Sequence, residues 1–291
     1  MSPARSPVAG MPTRRASGAL NVLAALLESR TGQQIAANRE WRVETALKPI
    51  LRERGLETLE ELVGEILDGR DKAVGDIVVD ALLNQESSFF RDAAVIDLLA
   101  DAAARIYAET GRRVRIWSAG CSTGQEPLSL AMLLTERFEA GGPPVPEIVA
   151  TDVSDIALAR ARAGVFSQFE IQRGLPIRRM MRWFDNVDGD WIARPELVRQ
   201  ISFRQGNLVA DPLPVGRFDF ILCRNVLMYL SPVLRRQVLD RFGTAMRPGG
   251  LLALGAGETV IGQTEAFRPS PEFRGLYEPS CIADARGAAL G

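Results

Sequence analysis

The stretch RIWSAGCSTGQEPLSLAML, Arg115 to Leu133, decides the fold. It begins with a short apolar run and continues through a loop that contains Gly120 and Gly124. A pattern of helical period follows at once. Strand, glycine loop and helix in this order are typical of ligand-binding units in α/β proteins. The loop nevertheless fits neither of the two common phosphate-binding patterns.

A phosphate loop of the GxxxxGK[ST] type uses its lysine to neutralise phosphate. Here Gln125 and Glu126 follow Gly124, so the loop carries no cation. A dinucleotide loop requires GxGxxG, whereas the segment from Gly120 to Gly124 has the pattern GxxxG. Glu126, in the first turn of the predicted helix, would repel a pyrophosphate but could pair with a cationic group of a ligand.

Asp152 ends the second predicted strand, EIVATD. A carboxylate at this place can accept hydrogen bonds from both hydroxyls of a ribose. The ligand would then have a nucleoside and a positive end but no phosphate, and S-adenosylmethionine meets all three conditions. The alternative interpretation is a tight turn followed by a helix-capping aspartate, which requires no ligand.

The rest of the chain predicts two kinds of architecture. Residues 18–108 show helical periodicity and almost no strand signal, with Pro49 expected to kink the second helix and Thr58 to cap the third. From Val114 onward, apolar runs alternate with amphipathic helices, which indicates a mainly parallel sheet with helices on both faces. The turn-forming residues DNVDGD lie between alternating aromatic runs and predict a small antiparallel insert.

These patterns predict the domain boundaries. We expect a flexible tail over 1–17, a helical domain over 18–92, a linker helix over 93–110 and an α/β domain over 111–291 that carries the insert at about 182–205.

The composition is that of an ordinary globular protein, with 46% hydrophobic residues, 24% charged residues and a formal net charge of −1. The charge gives no support to a nucleic-acid binder, and no apolar run predicts a membrane span or a secretory signal. We therefore expect a cytoplasmic protein. The three cysteines form no CxxC pair, and the chain has no histidine, so no metal site and no imidazole base are predicted.

Five motifs occur in a fixed order: SFFRD (Ser88–Asp92), WSAGCSTGQEPLSLAM (Trp117–Met132), ATDVS (Ala150–Ser154), GNL (Gly206–Leu208) and FDFILCRNVLMYL (Phe218–Leu230). Together they resemble the CheR family of chemotaxis-receptor methyltransferases, from about Leu20 to Tyr277. The resemblance implies an all-α N-terminal domain before a doubly wound, Rossmann-like class I methyltransferase domain with a small antiparallel β-subdomain. It also implies methyl transfer from S-adenosylmethionine to glutamate side chains of receptors.

The same resemblance implies partners and site residues. The partners are the cytoplasmic domains of methyl-accepting chemoreceptors, with a receptor C-terminal peptide as a second contact of the β-subdomain, and we expect a monomer. The residues that line the cofactor site by this resemblance are Gln85, Ser87, Arg91, Glu126, Asp152, Asn207, Leu208, Arg224 and Asn225.

Three of the site residues also have individual interpretations. Arg91 is suited to a bidentate contact with the methionine carboxylate, although a surface helix-cap arginine is the simpler role. Asn225 ends the fourth predicted strand, at the carboxyl edge where α/β folds place ligands, or it serves as an ordinary turn residue. Tyr229 is placed to line the acceptor pocket and donate a hydrogen bond, or only to pack on the sheet.

The chain departs from the family pattern at several positions. It has Asn84-Gln85-Glu86-Ser87 where the family usually has Thr-Asn-Glu-Thr, Gln125 for Glu and Leu128 for Tyr, and Ala256-Gly257 where His-Ser is frequent. Two alternatives therefore stay open. One is a methyltransferase for a small molecule, which the helical domain and the insert argue against. The other is a signalling module that binds S-adenosylmethionine with weak or no methyl transfer.

Arg39 and Arg42 lie one turn apart in the second predicted helix and form a basic stripe that acidic receptor helices could contact. A solvated charged face is the simpler alternative. If the stripe docks the receptor, changing both residues to Glu raises the Michaelis constant for a receptor more than it lowers turnover. Steady-state kinetics equal to those of the parent protein would contradict the docking role.

Overall fold

The structure is a computed structural model that describes residues 16–35, 40–138 and 142–280. The chain divides after Leu83 into two compact units. Most of the predicted tail, Arg39 and Cys281 lie outside the described residues. Within the described ranges, no helix is long and apolar enough to cross a membrane.

The first unit contains, in its described part, four helices: α1 (Ala16–Thr31), α2 (Glu40–Arg54), α3 (Leu59–Asp68) and α4 (Lys72–Leu82). One buried side chain or more from each helix forms its core, among them Leu23, Leu47, Leu62 and Val78. Thr58 caps α3 as predicted, since its hydroxyl accepts the N–H of Glu61 at 3.2 Å and the Glu61 carboxylate accepts the N–H of Thr58 in return.

The second unit is built on a seven-stranded sheet. Its strands, in chain order and including those of a smaller sheet, are β1 (Arg115–Ala119), β2 (Glu147–Asp152), β3 (Val165–Phe166), β4 (Phe184–Val187), β5 (Asp190–Ala193), β6 (Ile201–Gln205), β7 (Phe218–Cys223), β8 (Met246–Leu254), β9 (Phe267–Pro269) and β10 (Tyr277–Pro279). Its helices are α5 (Ala93–Thr110), α6 (Gln125–Phe138), α7 (Asp155–Ala163), α8 (Gln168–Gln172), α9 (Ile177–Trp183), α10 (Pro195–Val198) and α11 (Pro232–Ala245).

The large sheet has the strand order β6-β2-β1-β7-β8-β10-β9. The first five strands are parallel, and β10 is antiparallel to both of its neighbours. Alternate residues of a strand point to opposite faces. Ile116 and Phe220 accordingly lie in one core together with α5 and α6, whereas Trp117 and Ile221 lie in a second core together with α11. Burial on both faces confirms the predicted doubly wound α/β fold.

A small antiparallel sheet of order β3-β5-β4 accompanies the large one, as predicted. The strands that form it are not all those of the insert expected at 182–205. Ile201–Gln205 forms β6, which pairs in parallel with β2 at the edge of the large sheet, and Val165–Phe166 takes the third place in the small sheet. The β4–β5 hairpin follows from its turn residues Asp188 and Gly189, both with positive φ. The pairing with β3 joins residues far apart in the chain and leaves no local signal.

The segment before α5 belongs to the second unit, because the division falls after Leu83 rather than after residue 92. Phe89 is 1% exposed and packs edge-on against the rings of Phe166 and Phe184, with ring centroids 5.0 and 5.6 Å away. Its neighbour Phe90 is also buried in the core that contains α5 and α6. The aromatic pair therefore attaches the SFFRD segment to the α/β core.

Candidate active site

Four parallel strands end at one edge of the large sheet, and predicted site residues follow or complete each of them. The glycine loop follows β1, Asp152 ends β2, the GNL motif follows β6, and Arg224 and Asn225 follow β7. The carboxyl ends of parallel strands are where open α/β sheets bind their ligands.

The glycine loop approaches other parts of the chain too closely for side chains. Gly120 and Gly124 have φ values of 79° and 94°. A Cβ atom on Gly120 would lie 2.5 Å from a methyl group of Val226, and one on Gly124 would lie 2.9 Å from the Cβ atom of Ala161. Only glycine permits both the backbone conformation and these contacts.

Two backbone amides from different loops fix the Asp152 carboxylate. Oδ2 accepts the N–H of Ser122 at 2.8 Å, and Oδ1 accepts the N–H of Ser154 at 2.9 Å. The cap of α7 is Ser154, whose hydroxyl accepts the N–H of Ala157, so Asp152 itself does not cap this helix. A carboxylate offers about four acceptor directions. The Asp152 carboxylate is therefore held in one orientation, in which its oxygens suit the two vicinal hydroxyls of a ribose.

Gln85 is joined to the same group of residues. Its side-chain amide nitrogen donates to the hydroxyl of Ser154 at 3.2 Å, and its backbone carbonyl oxygen accepts the hydroxyl of Ser122 at 3.0 Å. Ser87, two residues further along, is half-buried. The structure thus brings Gln85 together with the loops that hold Asp152.

The guanidinium of Arg224 joins two further segments, the one that contains Arg91 and Asp92 and the start of α6, and the Arg224 side chain is only 2% exposed. Nη1 donates to Glu126 Oε2 at 3.2 Å, and Nη2 donates to the backbone carbonyl of Arg91 at 2.8 Å. Nη2 also forms an ion pair with Asp92. The other oxygen of Glu126 accepts the hydroxyl of Ser118 at 2.7 Å. Buried charges of this kind require such partners.

Arg91 combines a fixed backbone with an exposed side chain. Among the ion pairs of the described residues, none involves the Arg91 guanidinium. Its planar fork is therefore available for a carboxylate of a ligand.

Asn225 stands in the left-handed region with φ 60°. Phe90, Asp92 and Ser122 share this conformation, so four of the five described non-glycine residues with positive φ lie in the candidate site segments. Such positions cost on the order of 1–3 kcal/mol each and concentrate at functional sites. Asn225 Oδ1 and Arg224 Nε are also the buried side-chain polar atoms that lack a hydrogen-bond partner in the described part of the chain.

Tyr229 ends a 3₁₀ turn over Leu227–Tyr229, and the amide nitrogen of Asn84 donates to its hydroxyl oxygen. Asn207 and Leu208 follow β6, where the N–H of Gly206 donates to the carbonyl of Asp152 at 2.9 Å. Both residues line a cavity of about 180 Å³ that also includes Trp117, Thr151, Pro212 and Leu213.

Sequence reasoning did not find Glu258. Its carboxylate accepts the backbone N–H groups of Asn225, Gly255 and Met228 at 2.8, 2.8 and 3.1 Å. Its position just beyond β8, at the same sheet edge as Asp152, is the sequence signal that could have indicated it.

Two buried cysteine thiols lie near the carboxylates of the site. Burial raises the pKa of the Cys121 and Cys223 thiols well above the usual value. The carboxylates of Asp152 and Glu126 raise the pKa of Cys121 further, and those of Glu258 and Glu126 raise the pKa of Cys223. Both thiols are therefore neutral at pH 7 and unsuited to nucleophilic attack. No group of three or more metal-ligating side chains occurs among the described residues.

The residues present fit S-adenosylmethionine. Asp152 can take the ribose hydroxyls, the fork of Arg91 can take a carboxylate, and the acid at Glu126 suits a cationic group. The two buried atoms without partners, Arg224 Nε and Asn225 Oδ1, add a donor and an acceptor at the same sheet edge. Because the loop has no lysine, the site does not suit a phosphate.

A family model described as CheR methyltransferase, SAM binding domain, matches residues 85–275. The chain belongs to the CheR methyltransferase family. It is 35% identical over 244 residues to a chemotaxis protein methyltransferase of Vibrio parahaemolyticus. The matched region covers 83% of this chain and 89% of that protein. It is 36% identical over 244 residues to chemotaxis protein methyltransferase 1 of Pseudomonas aeruginosa, with coverages of 80% and 87%.

The family match confirms the resemblance drawn from the five motifs, and it confirms S-adenosylmethionine as the cofactor. The CheR relatives also establish the chain as an S-adenosylmethionine-dependent methyltransferase of chemotaxis.

Replacing Asp152 by Ala is expected to weaken binding of S-adenosylhomocysteine about 100-fold, or roughly 3 kcal/mol, because hydrogen bonds to a charged acceptor are lost. Isothermal titration calorimetry measures this affinity, and thermal unfolding monitors the fold. Asp155→Ala is the matched control, since Asp155 is an exposed acid in the first turn of α7 that pairs with Arg162. Equal affinities of the two variants would refute the role of Asp152.

Proposed function

We propose that this protein transfers a methyl group from S-adenosylmethionine to glutamate side chains in the cytoplasmic domains of chemoreceptors and so forms glutamate methyl esters. The observation that carries the proposal is a cofactor-binding edge without a suitable general base. The chain has no histidine, and the thiols of Cys121 and Cys223 are held neutral by burial. The carboxylates of Asp152 and Glu126 accept hydrogen bonds from the protein and are assigned to the cofactor, so neither serves as a base toward the substrate.

A site of this kind favours a nucleophile that is already ionised. A glutamate side chain has an unperturbed pKa of about 4.3 and is an anion at neutral pH. Hydroxyl and amine nucleophiles would first have to lose a proton, for which no suited acceptor lies at this edge among the described residues. When bound, S-adenosylmethionine supplies an electrophilic methyl group on a sulfonium. The relatives are chemotaxis protein methyltransferases, which agrees with a receptor as the substrate.

We assign the protein groups the tasks of binding and alignment. Asp152 holds the ribose, Arg91 holds the carboxylate of the methionine portion, and Glu126 accepts a hydrogen bond from its amino group. Arg224 fixes both the Glu126 carboxylate and the Arg91 backbone. Gln85, Ser87, Asn207, Leu208 and Asn225 complete the lining of the cofactor site in this proposal. Alignment of this kind can contribute roughly 7–11 kcal/mol to a rate.

Tyr229 is the group that we assign to the acceptor. Because the Asn84 amide donates to the Tyr229 hydroxyl oxygen, the hydroxyl proton has to point elsewhere. In this proposal it donates to the glutamate carboxylate and orients it for attack. Asn84 thereby acts as a positioning residue for Tyr229.

Receptor contacts away from the reacting groups belong to the same proposal. β4 lies at the edge of the three-stranded sheet, where an extended receptor C-terminal peptide could add a strand. Arg42 of the predicted docking stripe lies in α2 and is half-buried, whereas Arg39 is outside the described residues. The proposed site of action is the cytoplasm, where these receptor domains are found.

The decisive experiment is transfer of labelled methyl from S-adenosylmethionine to purified receptor cytoplasmic domains. We expect label on the receptor that mild base releases as methanol, because a carboxyl methyl ester is base-labile whereas an N-methyl group is not. A receptor whose labelled glutamates are changed to Ala serves as the control. Binding of S-adenosylhomocysteine without labelled ester on any receptor would refute this function and favour a signalling module that binds the cofactor.

In the same assay, Tyr229→Phe is expected to lower kcat about 10-fold, because one hydrogen bond to a charged group is lost. Affinity for S-adenosylhomocysteine should stay within about 2-fold, since the phenol is assigned to the acceptor. Tyr277→Phe is the matched control and removes a hydroxyl that contacts Thr259 in the second unit. Equal kcat values of the two variants would rule out the assignment of Tyr229.

A further inference from the structure

A single carboxylate connects the ends of two neighbouring parallel strands. Glu258 accepts the N–H groups of Asn225 and Met228 from the segment after β7, and the N–H of Gly255 from the end of β8. Oε2 accepts two of these bonds and Oε1 accepts the third. Three backbone donors that the sheet cannot satisfy therefore have one common partner.

Gly255 is what allows the carboxylate to come so close. A Cβ atom at this position would lie 2.8 Å from the backbone nitrogen of Asn225 and 2.8 Å from Glu258 Oε2. It would also lie 2.9 Å from Cγ of Asn225. Any other residue would displace Asn225, Glu258 or both.

The segment that Glu258 holds connects two predicted functional side chains. At its start, Asn225 is left-handed, and its Oδ1 atom is buried without a partner among the described residues. At its end, the N–H of Met228 lies within the 3₁₀ turn that carries Tyr229. The carboxylate accepts its hydrogen bonds from the backbone of this segment.

We propose that Glu258 is a positioning residue of the methyltransferase site. It holds Asn225 in the left-handed conformation that aims the side-chain oxygen at the cofactor, and it fixes the start of the turn that presents Tyr229. Both carboxylate oxygens are needed, because each accepts at least one backbone N–H. The Tyr229 part rests on the proposed function, whereas the Asn225 part requires only cofactor binding.

Glu258→Gln tests the need for two acceptor oxygens at nearly constant volume. The amide group would turn one acceptor into a donor that faces a backbone N–H, so we expect affinity for S-adenosylhomocysteine to fall about 10-fold. Glu170→Gln is the matched control, because its Oε2 accepts the backbone N–H of Ser167 in the cap of α8. That variant should bind S-adenosylhomocysteine as the parent protein does.

A double-mutant cycle separates positioning from a general structural role. If Glu258 acts through Asn225, Glu258→Gln weakens binding about 10-fold in the parent and less than about 2-fold in an Asn225→Ala background. A merely structural role would lower the affinity by the same factor in both backgrounds. Equal factors, or unchanged affinity of Glu258→Gln, would overturn the proposal.

Gly255→Ala is a second variant, because its added methyl group would displace the same segment, Asn225 to Met228, without replacing Glu258. It tests the positioning role if circular dichroism shows that Glu258→Gln does not fold. We expect the same loss and the same coupling to Asn225→Ala, and independent losses would overturn the proposal. Calorimetry needs no receptor, so the two proposals can fail separately. If the variants show coupled losses of affinity but the parent protein forms no ester on a receptor, only the receptor reaction is refuted. If the parent protein forms the ester but the variants keep their affinity for S-adenosylhomocysteine, only the positioning role is refuted.

Discussion

The arrangement of the site depends on the hydrogen bonds and ion pairs of one buried group, the guanidinium of Arg224. With a side chain 2% exposed, Arg224 needs partners for its charge, and it takes them from the SFFRD segment and from α6. Removing it would leave the Glu126 carboxylate, 14% exposed, without its cation, which costs several kcal/mol in a buried setting. The position of the Arg91 backbone and the pairing of the Glu126 carboxylate therefore have one common cause.

The SFFRD segment shows how packing and electrostatics act together. Phe89 and Phe90 bury their rings in the α/β core, while the next two residues give a carbonyl and a carboxylate to Arg224. Phe90 and Asp92 have positive φ, which a free loop would avoid. The aromatic burial and the ion pair offset this strain, and as a result the guanidinium of Arg91 is exposed at a defined place.

Much of the fold could be predicted because its signals are local. The short apolar runs of β1 and β7, buried along almost their whole length, and the caps at Thr58 and Ser154 depend on neighbours in sequence. The third strand of the small sheet and the role of Glu258 depend on contacts between distant segments, and a carboxylate that accepts backbone N–H groups leaves no motif. Gln125 belongs to the same class: its side chain is buried and accepts the hydroxyl of Thr123, so a neutral amide avoids a second buried charge beside Glu126.

The strand order also separates two chemical environments. Asp152 ends β2 and Glu126 lies in the first turn of α6, which follows β1, whereas the segment after β7 carries the neutral side chains of Asn225 and Tyr229. Arg224 stands between them and balances Glu126. In the proposed reaction a glutamate anion would be repelled by the β1–β2 side, which suits a cation and a ribose. On the β7 side the side chains of Asn225 and Tyr229 are neutral, and the Glu258 carboxylate there accepts three backbone N–H groups. In the proposed reaction a carboxylate acceptor needs no histidine, because the acids assigned to the cofactor lie on the β1–β2 side and Tyr229, which is assigned to the acceptor, lies on the β7 side.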